Sequence, residues 1–483
     1  MRGDFSRDSF DKLRHYSRVL QQQGRLELDA GGNERQAIQL HLLRSLAADL
    51  IGPQGGPGTG FELRNPDALA KNFVIGKGHY YVDGWLCEND ADVLYAKGDD
   101  GAPPPQTWLP EPDALETNKR YLAYLDVFER HLTATEVDDA ADPGSPAALR
   151  EVALGGPDTT TRAQVVWQVR ISLGTGAPAL PPGAPEYETW NAWMQANWAQ
   201  WQALWQPPWR GQMAAKAAEV SEDDAGNPCV VSPRSRYRGL ENQLYRVEIH
   251  RSGSVTNDEP TFVWSRENAS VLFAVERIDD KSVQLAAGWR DARFDLAVGD
   301  IVELSDDWTA LGGRAGPLRR VSGVDIDTGA VYFEADGPAG SVSSSRHAVL
   351  RRWDHGRRRR ATESTKALND GRAQVADDLA LTLEEGKWLT IEEGLSIRFD
   401  AAPAGQQQHY RSGDYWLVPA RAAIGDVLWP RGAAPQREPL PQPPHGVEHH
   451  YAPLAILEVG ADNKVGVFAG PTLRFKSLVE LTN

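Results

Sequence analysis

The chain has 483 residues, with 41% hydrophobic and 24% charged residues and a formal net charge of −16. This length permits several domains whose cores need no covalent staples, and the acidic balance argues against nucleic acid as a partner, since phosphate binding needs a basic surface. High Gly (45) and Pro (32) counts favour short strands and turns over long helices, and no apolar run approaches the ~20 residues of a membrane span.

The two cysteines, Cys87 and Cys229, are far apart, and neither sits in a Cys-x-x-Cys pair. That pattern supports neither a disulfide framework nor a cysteine zinc site, and buried thiols are the simplest expectation. The opening Met1 to Asp8 is too polar for a signal peptide. Synthesis and folding are therefore expected in the cytoplasm, with any release from the cell using a route other than a signal peptide.

Residues 1–32 read as an extended polar arm with few apolar anchors: Phe5, Phe10, Tyr16, Val19 and Leu20. Such an arm either docks on the domain behind it or reaches a neighbouring subunit. A helix is predicted next, with Asn33 as its N-cap, Glu34 in the first turn, and Gly52-Pro53 as its stop. Ile38, Leu42, Leu46 and Leu50, joined by Leu43 and Ala47, give it one apolar face. The glycines between Gly55 and Gly60 lack the strand context and the Lys-Ser/Thr of a phosphate loop, and read as a flexible connector. From residue 73 the period drops to two, and Tyr121 to Val127 is apolar on both faces, as a central strand would be.

A Pro/Gly-rich linker at 174–186 precedes Trp190, Trp193, Met194, Trp198, Trp201 and Trp205 at helical spacing, closed by Pro207-Pro208. Two readings stand for these tryptophans. They could seal a helix onto a core, or form a sticky face for a protein partner or a glycan. Beyond residue 226 short strands alternate with turns, and Val298-Gly299-Asp300 before Ile301 to Leu304 suggests the edge of a small barrel. The predicted fold class is mainly β with minor α (α+β): several small sandwich- or barrel-like domains plus an N-terminal arm and helix. The expected divisions are a docking arm at 1–32 and an α+β domain at 33–173. Linkers with a Trp-rich helical insertion occupy 174–225, and two β domains follow at 226–345 and 346–483.

No residue set commits the chain to catalysis. Glu384-Glu385 and Glu392-Glu393 carry little information in so acidic a chain, because a glycosidase needs two carboxyls at a defined separation. His445, Glu448 and His449 could share a cation, but neighbours in a strand diverge to opposite faces, so no metal site and no cofactor are predicted. Arg351-Arg352-Trp353-Asp354-His355 reads as a solvated basic turn, or else as an anion or partner contact. Arg236 to Gln243 reads as a polar stretch that buttresses a strand start.

The stretches Gly3 to Asp8, His15 to Val19, Gln22 to Arg25 and Asn33-Glu34 resemble the opening of an uncharacterised domain family encoded near phage-tail-like contractile injection systems. Tyr80 to Gly84, Leu125 to His131, Arg150 to Asp158, Tyr237 to His250, Trp264 to Asn268, Gly413 to Leu417 and His449 to Leu454 extend the resemblance over most of the chain. Two features depart from it: Gly31-Gly32 stand where the family has an acidic residue and Trp, and the Trp-rich stretch is peculiar to this chain. The opening is also similar to segments that attach some phage tail and baseplate proteins. The resemblance implies a structural role, as peripheral baseplate, cage around the spike or fibre adaptor, and implies no reaction. It implies other baseplate, spike or fibre subunits as partners, symmetric copies in the assembly, and neither nucleic acid binding nor membrane insertion. Phe5, Arg7, Tyr16, Arg25, Asn33 and Glu34 are then the expected assembly contacts.

Overall fold

The period-two stretches form strands, and the chain is mainly β with few helices. The computed structural model describes residues 1–65, 69–137, 148–156, 158–174, 176–181, 186–206, 210–217, 237–286, 295–334, 342–356, 373–392, 394–403, 405–435, 437–469 and 474–475. Cys229, Arg236, Pro207-Pro208 and the end of the basic run at 357–360 lie outside the described residues.

In chain order the strands are β1 (Gln54–Pro57), β2 (Leu63–Arg64), β3 (Val74–Ile75), β4 (Gly78–Val82), β5 (Trp85–Asn89), β6 (Val93–Leu94), β7 (Arg120–Leu132), β8 (Arg162–Ser172) and β9 (Gln212–Ala217). They continue as β10 (Gln243–Arg251), β11 (Thr261–Ser265), β12 (Leu272–Ile278), β13 (Ser282–Leu285), β14 (Ile301–Ser305), β15 (Leu318–Asp325), β16 (Ala330–Phe333) and β17 (Val349–Trp353). The last are β18 (Leu381–Thr382), β19 (Trp388–Glu392), β20 (Leu395–Asp400), β21 (Tyr415–Arg421), β22 (Asp426–Val427), β23 (His450–Val459), β24 (Val465–Ala469) and β25 (Arg474–Phe475). The helices are α1 (Asp29–Ile51), α2 (Ala134–Val137), α3 (Tyr187–Trp205) and α4 (Asp307–Leu311). Among the described residues no helix is long and apolar enough to cross a membrane.

In the first body, the sheet β24-β23-β7-β8 packs against β25-β1-β4-β5 and the small sheet β2-β3-β6. Strand β7 is its centre, as its two apolar faces predict. Tyr121, Ala123, Leu125 and Val127 enter a core with Phe61, Tyr80 and Trp167, each large apolar side chain contributing about 1.5–3 kcal/mol by burial. The segment at 55–60 is not a flexible connector. Gly55 and Gly56 belong to β1, paired on both sides. A Cβ on Gly56 or Gly60 would approach His79 O to 2.7 or 2.5 Å, so these glycines permit close strand packing.

In the second body, β18-β11-β10-β21-β22 and β19-β20-β9 enclose Tyr245, Val247, Phe262, Phe399 and Trp416. The third is a closed six-stranded barrel, β12-β13-β16-β15-β14-β17, filled by Val302, Leu304, Val321, Val331 and Leu350. The predicted turn at 298–300 does lead into a barrel strand, β14, and closure leaves no free edge. Sheet membership does not follow the expected domain boundaries. The division at 345/346 cuts the barrel, because β17 closes it, and β23 returns to pair with β7 of the first sheet. The barrel is inserted between β11 and β18, neighbours in one sheet.

Candidate functional site

The first six residues sit between the first and second bodies. Alternation along β10 sends Tyr245, Val247 and Ile249 into a core and leaves Arg246 and Glu248 on the opposite face. Tyr415 pairs with Glu248 across the sheet and shares that face. Arg2 forms an ion pair with Glu248, donating from Nε over 3.3 Å and more closely from its terminal nitrogen. Arg246 donates to Glu248, to Met1 O at 3.0 Å and to Asn268 Oδ1 at 3.1 Å. Asn268 Nδ2 in turn donates to Met1 O at 3.2 Å and to Gly3 O at 2.9 Å. The Met1 backbone nitrogen contacts the Tyr415 hydroxyl, and the Arg246 guanidinium lies 3.5 Å over the Tyr415 ring. Phe5 meets the His131 ring edge-on at 6.1 Å, and Arg421 donates to Ser6 O at 2.8 Å.

The electrostatics of this slot follow from burial. Desolvation alone would raise the Glu248 carboxyl, but Arg2 and Arg246 override it and hold its pKa near 2. Burial lowers the His131 pKa to about 3, helped by the amine at Met1 and by Arg351, Arg246 and Arg2. The first six residues thus act as a latch on the chain's own body, and Phe5 is committed there.

The rest of the arm and α1 behave differently. The helix begins at Asp29, ahead of the predicted Asn33 cap, because Asp29 supplies the first-turn negative charge and its carboxylate accepts from Ser6 N at 2.8 Å. Asn33 is an exposed residue inside the helix, and Glu34 accepts from the Ser9 hydroxyl at 2.7 Å. The helix ends at Gly52, as predicted. Its apolar face does not enter a core. Of the predicted stripe Ile38 is buried and Ala47 half-buried, whereas Leu42, Leu43, Leu46 and Leu50 are 50, 63, 56 and 78% exposed. The body grips α1 elsewhere: Arg44 stacks 3.2 Å over Trp85 and pairs with Glu129 at 2.6 Å. Gly84 passes so close to the helix that a Cβ would come within 2.0 Å of Arg44 O. Arm residues 10–17 lie along the helix, with Phe10 against His41 at 5.8 Å. Between them is a cavity of about 150 Å³ bordered by His15, Tyr16, Glu34 and Leu42. Arg7, Tyr16 and Arg25 are exposed, as are Leu13, Leu20, Leu26 and Leu28.

The tryptophans of α3 turn inward. Trp190 and Trp201 are 1% exposed and pack on Leu122 and Ile456 of the outer face of the β7/β23 sheet. Trp193, Trp198 and Trp205 are half-buried in the same cluster, and Trp205 stacks on Tyr124 at 3.8 Å. Gly174, at φ +66°, makes room: a Cβ there would lie 2.2 Å from the Trp201 ring. The covering role accounts for this geometry, and it takes Trp190 and Trp201 out of reach of a partner or glycan.

The basic segment is neither a solvated turn nor a surface contact. Arg351, Arg352 and Trp353 are buried in β17, and Asp354 is buried just beyond it. Arg352 pairs with Glu267 at 3.7 Å and Asp354 at 3.5 Å, while Trp353 Nε1 donates to Glu303 at 3.0 Å. Arg351 donates to Ala269 O, and burial brings its pKa down to about 10. Tyr237 does buttress the entry to β10, its hydroxyl donating to Glu241 O at 3.0 Å. His449 and His450 diverge, bonding Asp126 at 2.7 Å and Asp83 at 3.0 Å, while His445 faces the Tyr415 ring. Among the described residues no group of three or more His, Cys, Asp or Glu could hold a metal ion.

Arg246, Glu248, Asn268 and Tyr415 received no role in the sequence reading. The available signal was paired charges of like parity inside the apolar run Tyr245 to Ile249.

Fold and site together define a multi-sheet β protein with an inserted barrel, latched by its own N-terminal residues and flanked by an outward-facing leucine helix. The chain belongs to a family of unknown function, DUF6519, which matches residues 1–179 and 210–483. No curated protein and no solved structure matches it. The stretch between the two matched segments contains all of α3.

Proposed function

We propose that this protein is a structural subunit of a phage-tail-like contractile injection particle, a peripheral baseplate, cage or fibre-adaptor component that acts by assembly and not by catalysis. The observation that carries the assembly reading is the outward leucine face of α1 beside an arm latched at its start. Contiguous exposed apolar surface of this kind marks protein interfaces. Holding the arm in place before binding reduces the ordering cost of association. The resemblance of the opening residues to tail-attachment segments supplies the particle.

The test is purification of particles from a strain carrying Leu43→Asp and Leu46→Asp together, alongside a strain lacking the protein. Both side chains are exposed, so the body should fold as before. The expected result is that the variant no longer sediments with particles and that electron microscopy shows the same missing density in both strains. Normal incorporation of the variant, or no missing density without the protein, overturns the reading.

A further inference from the structure

We propose that the partner of the arm is a second copy of this chain, the basic stretch at 12–26 of one copy lying on the acidic loop region of the next. This rests on the assembly reading and names its partner. From Lys12 to Leu26 the arm carries four cations, Lys12, Arg14, Arg18 and Arg25, and no anion, on a chain of net charge −16. Arg14 pairs loosely with Asp11 at 3.5 Å, and among the described residues the other three make no ion pair. All four are exposed, interleaved with the exposed Leu13, Tyr16, Leu20 and Leu26.

The complementary surface is on the first body. Residues 88–116 hold eight anions, Glu88, Asp90, Asp92, Asp99, Asp100, Glu111, Asp113 and Glu116, against the single cation Lys97. Glu88, Asp92 and Glu111 pair with His79, Arg64 and Arg314. Asp90, Asp99, Asp100, Asp113 and Glu116 remain exposed on loops. Within one chain no arm cation forms an ion pair with this stretch among the described residues. A basic strip with apolar studs and an acidic loop region on the same molecule are two different surfaces. Their contact is head-to-tail, and it builds rings or stacks of copies. Opposite fields of this kind steer association and weaken as salt screens them.

The experiment compares three full-length proteins by sedimentation velocity over a range of concentrations at low and high salt. They are the wild type, an arm variant (Arg14→Glu, Arg18→Glu, Arg25→Glu) and a loop variant (Asp99→Lys, Asp100→Lys, Asp113→Lys). Wild type is expected to self-associate at low salt and to dissociate as salt rises. Each variant alone should associate at least tenfold more weakly, since the arm variant carries an acidic arm against an acidic loop and the loop variant has lost most of the negative charge that its basic arm would meet. An equimolar mixture of the two should regain association, because the unaltered basic arm of the loop variant then meets the unaltered acidic loops of the arm variant. Unchanged melting temperatures would show that the variants fold.

Wild type that stays monomeric at low salt, or a mixture that does not recover, overturns the proposal. If copies stay apart while the leucine substitutions still remove the chain from particles, this inference falls and the assembly reading stands. If copies associate but never sediment with particles, the particle reading falls and this one stands.

Discussion

The two long helices make opposite use of their apolar residues. Helix α1 carries leucines at the spacing of a core-facing stripe and exposes most of them. Helix α3 carries tryptophans dense enough to suggest a binding face and turns them onto its own sheet. The pattern on a helix states that one face wants cover. What covers it is decided by the surface opposite: α3 lies over Leu122 and Ile456, while the body meets α1 through Arg44, Trp85 and Gly84. The family match adds to the contrast. It includes α1 and leaves out α3.

The contrast breaks most directly at α3. Trp201→Ala should destabilise the first body by about 3–5 kcal/mol, the usual cost of emptying a buried aromatic site. Trp198→Ala, at a half-buried position, should cost clearly less. Urea unfolding of the two variants measures the difference, and equal small losses would mean that α3 is not a structural cover.

The latch comes next. Glu248→Ala leaves the guanidiniums of Arg2 and Arg246 together without their shared carboxylate. Removing one partner of a buried pair costs about 3–5 kcal/mol, and the partial exposure of Arg2 places this case near the lower end. The expected readout is a lower melting temperature together with protease cleavage within the arm. A stable, protease-resistant variant would show that the slot does not hold the arm.

Acid should loosen the latch in two stages. The His131 ring titrates near 3 in the fold against an ordinary 6.5, so the folded state excludes a proton that the unfolded chain accepts. The contribution of His131 is therefore complete above pH 6.5 and is lost below it, by up to about 1.4 kcal/mol per pH unit. Glu248, held near 2 against 4.5, adds stability that is complete above pH 4.5 and is lost as pH falls toward 2. His131→Asn should make the slope between pH 6.5 and 4.5 shallower and leave the contribution of Glu248 in place. An unchanged slope between pH 6.5 and 4.5 would remove His131 as the cause.

How much of this was legible in the sequence depended on the range of the interaction. The strand at 120–132, the stop at Gly52, the barrel edge before Ile301 and the divergence of His449 from His450 all follow from local periodicity or turn chemistry. The helix start was missed because Asp29 is bonded by Ser6, 23 residues away. Arg351 to Asp354 read as a surface turn because the groups that make their burial tolerable, Ala269 O, Glu267 and Glu303, lie far back along the chain. The latch was invisible for the same reason. Arg2 meets Glu248 across 246 positions, and single-sequence periodicity carries nothing over that distance.

The smallest effect on stability should come from the leucines of α1, and it separates the two helices most sharply. Leu43→Ser and Leu46→Ser remove side chains that are more than half exposed, so each should change stability by no more than about 0.5 kcal/mol. The same substitutions remove apolar area from the face offered to a neighbour, so their effect should appear in association and not in unfolding. Urea midpoints and sedimentation of the same preparations read both quantities. A destabilisation comparable to that of Trp201→Ala would place the α1 leucines in a core. Small losses in both quantities would leave the face without a partner. A stable protein that no longer associates would show that α1 completes its packing against another molecule, as α3 does within its own.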